Sequence, residues 1–228
     1  MKERSICFMI AGRRSFLAAR QGRRSRWRQS GSTHTWTCRL VLYRNCRNTA
    51  EIGRTVQSFL AGRHKNYLNA IHGKKPRAVF VPDAEALAAA AADFVRRMKS
   101  EEKLERQDIV ILTVSTLEKS VLAGVTSLAG IPLAHQPAEG KVWFTTVRRY
   151  KGLEAKAVLL VDVHVSKLVK PTCQRLVYVG SSRASAYLET IFLSDGLAEE
   201  YPALVEQLDT DIEPSPQGVA KWLGMEAQ

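Results

Sequence analysis

TTVRRYKGLEAKAVLLVDV, residues 145–163, inserts three cationic side chains, a glycine and a glutamate between two apolar runs, KVWFTTV and AKAVLLVDV. Buried strands of a parallel sheet read as near-continuous apolar runs, and the ligands of such sheets sit outside the strand ends. A polar stretch between two such strands therefore marks a candidate site, the ordinary alternative being a solvated connection.

Working outward, the same alternation continues. Upstream, CRLVLYRNCRNT reads as a short strand with a polar end, and TAEIGRTVQSFLAG as a helix in which Ile52, Val56, Phe59 and Leu60 recur at helical spacing, capped by Thr49 and ended by Gly62. RAVFVP is a strand, and an alanine-rich helix follows from Asp83 to Lys99. Asp83 after VFVP also has the look of a metal-binding acid behind a strand, but an N-cap accounts for it more simply. QDIVILTVS is a strand, Thr116–Leu122 a short helix and AGVTSLAGIPLAHQPAEG a surface loop. Downstream, PTCQRLVYVGSSRAS opens on the proline expected at a helix start, with Leu176, Val179 and Gly180 on one face, and YLETIFLS is a final strand. Strands alternating with helices predict an α/β fold with a parallel sheet covered by helices. The expected organisation is a basic leader at 1–36, an α/β domain at 37–194, and a helix-rich, acidic extension at 195–228 interrupted by Pro202, Pro214 and Pro216.

The 228-residue chain carries a formal charge of +12, which points to a polyanionic partner. Residues 1–36 hold nine Lys/Arg against one acid, leaving 25 basic and 21 acidic residues in the rest, so the α/β part is only mildly basic. Trp27 and Trp36 among those arginines could stack on bases. The four cysteines, Cys7, Cys38, Cys46 and Cys173, form no CxxC pair, and the histidines show no metal-ligand spacing. No apolar run reaches the roughly 18 residues of a membrane span. With no apolar signal segment at the start, the expected compartment is the cytoplasm, although an Arg-rich, acid-poor start also fits an organellar transit peptide.

Three clusters carry candidate chemistry: Asn45-Cys46-Arg47-Asn48-Thr49, Arg148 to Glu154, and Tyr178 to Ala184. Arginine offers a planar fork that fits phosphate oxygens in pairs and keeps its charge, so Arg47 and Arg183 suit the terminal phosphate of a nucleoside triphosphate. Gly152 would let backbone approach a ligand, and Glu154 could accept from a ribose hydroxyl or metal-bound water. No GxxxxGK[ST] loop is present: the residue five before Gly73-Lys74 is Leu68 rather than Gly, and Gly140-Lys141 is followed by Val142.

In order, NCRNT, TVRRYKGLE and YVGSSRA resemble motifs IV, V and VI of superfamily I DNA helicases of the UvrD/Rep type, whose patterns run NYRNT, T-x-H-x-x-KGLE and YVA-S/T-RA. The resemblance covers about residues 39–194. Cys46 stands where the family has Tyr, and Arg148 where many relatives have His. It implies a RecA-like C-terminal motor domain lacking its own Walker A loop. It further implies Arg47 and Arg183 as arginine fingers, and Gly152 and Glu154 beside ATP and Mg2+ shared with a Walker A-bearing RecA-like partner domain. Thr146 and Arg148 would lie against single-stranded DNA, in an enzyme of DNA repair. On this reading the chain is half of a motor, a fragment, truncated product or separately encoded subunit, inactive as an ATP hydrolase alone. The alternatives are a non-catalytic nucleic-acid-binding or regulatory module and a decayed remnant without activity.

Overall fold

The computed structural model describes residues 45–59, 69–194, 199–208 and 211–228. The leader at 1–36, the strand expected in CRLVLY, and the helix end at Leu60 and Gly62 lie outside the described residues.

Thr49 accepts the Ile52 N–H and starts α1, Ala50–Ser58. After β1, Arg77–Val81, Asp83 accepts the Ala86 N–H at 2.8 Å and caps α2, Ala84–Ser100, which settles its role as a cap. β2 is Ile109–Thr113, β3 Ser127–Leu128, β4 Ile131–Ala134 and β5 Val142–Thr146. β6, Ala155–His164, leads to α3, Pro171–Ser181, then β7, Ala184–Leu193. The C-terminal stretch supplies α4, Glu200–Leu208, α5, Pro216–Trp222, and β8, Glu226–Ala227.

These strands form one sheet in the order β3-β4-β5-β2-β6-β7-β1-β8, parallel throughout except for the antiparallel β3–β4 pair. Successive side chains of a strand point to opposite faces. Val110, Leu112, Val158 and Leu160 accordingly meet Ile52 and Val56 of α1, Val177 of α3 and Val219 of α5 on one face. Ile109, Ile111, Leu159 and Val161 meet Leu87, Ala91, Phe94 and Met98 of α2 on the other. The predicted α/β class with a helix-covered parallel sheet is the observed one, and none of the described helices is long and apolar enough to cross a membrane.

Three local expectations need correction. The helix expected at Thr116–Leu122 is a single 3-10 turn, Leu117–Lys119. Its continuation is diverted because the Ser120 hydroxyl and Val121 N–H donate to the Asp162 carboxylate at 2.6 and 2.9 Å. The expected surface loop at 123–140 contains the β3–β4 hairpin, closed by Ala129 and Gly130 with φ of 50° and 74°. Positive φ at both central residues is what a two-residue hairpin turn requires. The strand expected at Tyr187 begins at Ala184, and it is not the last, since β8 pairs with β1 and adds to the sheet.

Candidate functional site

Motif IV is an Asx turn: Asn45 Oδ1 accepts the backbone N–H groups of Arg47 at 3.0 Å and Asn48 at 3.3 Å. The turn sends neighbouring side chains in opposite directions. Asn48, only 2% exposed, points inward and donates through Nδ2 to the carbonyls of Ala184 at 2.5 Å and Ser182 at 3.3 Å, while its Oδ1 accepts from Asn45 at 2.9 Å. Arg47 points outward and donates from Nε to Glu154 Oε2 at 2.8 Å. Motif IV is thus stitched to motif VI by a buried amide and to motif V by an exposed ion pair.

Arg183 completes the cluster. Its carbonyl accepts the Ala155 N–H at 3.1 Å, which joins the starts of β6 and β7 and sets the guanidinium beside Arg47 and Glu154. The Nε of Arg183 is buried and has no hydrogen-bond partner. Burial first, then the like charge of Arg47, lowers the Arg183 pKa from its ordinary value. That unpaired Nε leaves a donor for an incoming anion, and phosphate oxygens match the guanidinium's geometry. Tyr150 lies buried against Trp143, ring centroids 5.0 Å apart, and burial, helped by the Glu154 charge, pushes its hydroxyl up to about 12. Tyr150 therefore stays neutral and serves as a packed support for the turn.

The turn itself is wound tightly. Thr146 O accepts from the N–H groups of Arg149 and Tyr150, both at 3.1 Å, and Leu153 N–H donates to Tyr150 O at 3.2 Å. Gly152 has φ of +94°, and a Cβ there would meet nothing within 4 Å. Its glycine is required by the backbone conformation rather than by crowding. Thr146 ends β5 at the carboxyl edge, and Arg148 is exposed just beyond it. Glu154 precedes Ala155 at the amino end of β6. Register through β2 sets Thr146 level with Val161, so the two ends of motif V are about 20 Å apart at ~3.3 Å per residue.

The structure therefore brings Arg47, Glu154 and Arg183 together, with Gly152 in the adjoining turn, and places Thr146 and Arg148 at the opposite end of the strands. The arginine cluster lies at the amino ends of β6 and β7, whereas sheets of this class hold their own ligands at carboxyl ends. Among the described residues no group of three or more His, Cys, Asp or Glu could hold a metal ion. Sequence reasoning assigned no role to Asn48, whose partners are 134 and 136 residues away.

A mostly parallel, helix-covered sheet on which arginines from two distant segments converge is consistent with a RecA-like helicase C-terminal domain. Residues 141–189, which span motifs V and VI, match the UvrD-like helicase C-terminal domain family, in agreement with the motif resemblance. Among solved structures, the fold is similar to that of the C-terminal domain of a possible DNA helicase from Lactobacillus plantarum WCFS1. That similarity has 22% identity and a TM-score of 0.51 and covers 69% of this chain and 95% of the other. None of the curated proteins matches this sequence.

Proposed function

We propose that this chain supplies the second RecA-like domain of an ATP-dependent superfamily I DNA helicase, working in the cytoplasm in DNA repair. The observation that carries the reading is the convergence of Arg47, Glu154 and Arg183 from three segments on one solvent-facing edge. Bound ATP would supply the phosphoryl group whose hydrolysis drives movement. Arg47 and Arg183 hold positive charge where negative charge develops on the transferring phosphoryl group, an effect worth about 10³–10⁵ in rate. Glu154 holds the Arg47 fork in place beforehand. The phosphate-cradling loop and the acids for Mg2+ would come from a Walker A-bearing partner domain.

At the far end of motif V, Thr146 and Arg148 would contact the backbone of single-stranded DNA. One tightly wound segment then reaches both ligands, so closure of the two domains over ATP changes the grip on DNA. The test is ATPase activity with and without single-stranded DNA, on this chain alone and mixed with a Walker-bearing first domain of a similar helicase. Activity only in the mixture, lost in Arg47→Ala and Arg183→Ala, is the expected result. No activity in the mixture, with salt-sensitive DNA binding that ignores Arg183→Ala and weakens when residues 1–36 are removed, would refute it in favour of a non-catalytic binding module.

A further inference from the structure

At the end of β6 remote from Glu154, Asp162 is buried within an apolar strand and has φ of +64°. It sits where the pairing of β6 with β7 slips register, between Leu160 and Val163. Its Oδ2 accepts the hydroxyls of Thr113 at 2.5 Å and Ser120 at 2.6 Å, and its Oδ1 accepts the Val121 N–H at 2.9 Å. None of these donors is cationic. A buried carboxylate and a left-handed non-glycine residue each cost stability and persist only where the surroundings hold them. Thr113 is the pivot. While its hydroxyl donates to Asp162, its Oγ1 accepts the Ser115 N–H at 2.9 Å and its carbonyl accepts the Val147 N–H at 3.0 Å. Val147 lies between Thr146 and Arg148.

We propose that Asp162 is a positioning residue which, through Thr113, fixes the Thr146–Arg148 corner in the orientation that grips single-stranded DNA. The proposal rests on the DNA-facing reading of that corner. Thr113→Val removes the hydroxyl and keeps shape and strand preference, so it cuts the Asp162 link without emptying the core. Asp162→Asn keeps the volume and replaces a double acceptor by a group with one acceptor and one donor.

The experiment is fluorescence anisotropy of a labelled oligo-dT titrated with the full chain across a range of salt. Thr113→Val and Asp162→Asn are expected to weaken binding about tenfold and to lower the salt slope by about 0.7, the share of one lost phosphate contact on a single strand. Thr113→Ser, which restores the hydroxyl, is expected to recover both. A structural role alone would lower melting temperature in both variants and leave the slope unchanged, and that result overturns the proposal. Arg148→Ala separates the two levels. If it weakens binding while Thr113→Val does not, the DNA-facing reading stands and the Asp162 link falls. If Arg148→Ala changes neither affinity nor slope, the DNA-facing reading falls and takes the proposal with it. Should Asp162→Asn fail to fold, the Thr113→Val and Thr113→Ser pair decides.

Discussion

Asn48→Ala removes the side chain that joins motif IV to motif VI, and its cost can be worked from the contacts. The Nδ2 bonds to Ala184 O at 2.5 Å and Ser182 O at 3.3 Å are lost, together with the Oδ1 bond from Asn45. A net intramolecular hydrogen bond contributes about 1 kcal/mol, and a buried carbonyl left short of a donor costs about 1–3 kcal/mol. Ala184 is fully buried, so water does not readily replace the lost amide there. Taking about 1 kcal/mol for the two part-buried bonds together and about 1–3 kcal/mol for the orphaned Ala184 carbonyl, the sum is a destabilisation of about 2–4 kcal/mol, or a fall of about 1–2 M in the urea midpoint at a slope of about 2 kcal/mol per M. Trp143, half-buried on Tyr150, is a fluorescent reporter close to the site. Asn48→Asp preserves the shape but turns an acceptor toward two carbonyl oxygens, so it should cost as much as alanine or more. A loss under about 1 kcal/mol for Asn48→Ala, or a milder effect for Asn48→Asp, would show that the amide is not what ties the two motifs together.

Gly180→Ala would place a Cβ 2.4 Å from Leu160 Cδ2 and 3.2 Å from Val147 Cγ2, and Leu160 is fully buried with no room to swing away. Overpacking of this kind costs about 1–3 kcal/mol in urea unfolding, and a change below about 0.5 kcal/mol would mean that α3 lifts off β6 freely. The bond with His72, and next that from the Gly73 N–H, hold the Glu51 carboxyl down to about 2. A carboxyl lowered in the folded state stabilises it above the ordinary value near ~4.3, and that contribution disappears as pH falls toward about 2. Melting temperatures from pH 7 to 2.5 should fall less steeply on the acid side for Glu51→Gln than for the parent, and equal slopes would remove Glu51 from the account.

The strands flanking motif V were legible because β2, β5 and β6 are apolar enough to be buried on both faces, and Asp83 because a cap needs only its own helix. Arg47 and Arg183 were legible as residue types suited to phosphate, Glu154 as an acceptor for a ribose hydroxyl or metal-bound water, and all three as motif positions. Their meeting point at the amino ends of β6 and β7 was not, since it follows from the Ala155 to Arg183 backbone bond and the Asn48 bridge, both non-local. The hairpin at Ser127–Ala134 escaped because Ala129-Gly130 lacks the Asn-Gly signature and sits among glycines and prolines that read as loop. β8 is two residues long, too short to show a period. Asp162 interrupts AVLLVDV without disturbing its apolar character, and nothing in that run foretells its left-handed backbone.

The strand order has a bearing on synthesis. β2 finds both its neighbours, β5 and β6, as soon as the chain has been made through His164. β1 is made earlier than all three, yet its partners are β7 and β8. At ~5–20 residues per second, the about 110 residues from Val81 to Leu193 take about 5–20 s to emerge from a ribosome, during which RAVFV has no partner strand. An unpaired β-rich segment of this kind invites pairing with other chains. The exposed charges of α2 just behind it, with Glu85 in the first turn and Arg96 beyond, give the nascent segment a solvated flank for that interval. Slowing translation between α2 and β7 should therefore lower the soluble yield more than slowing it after β7.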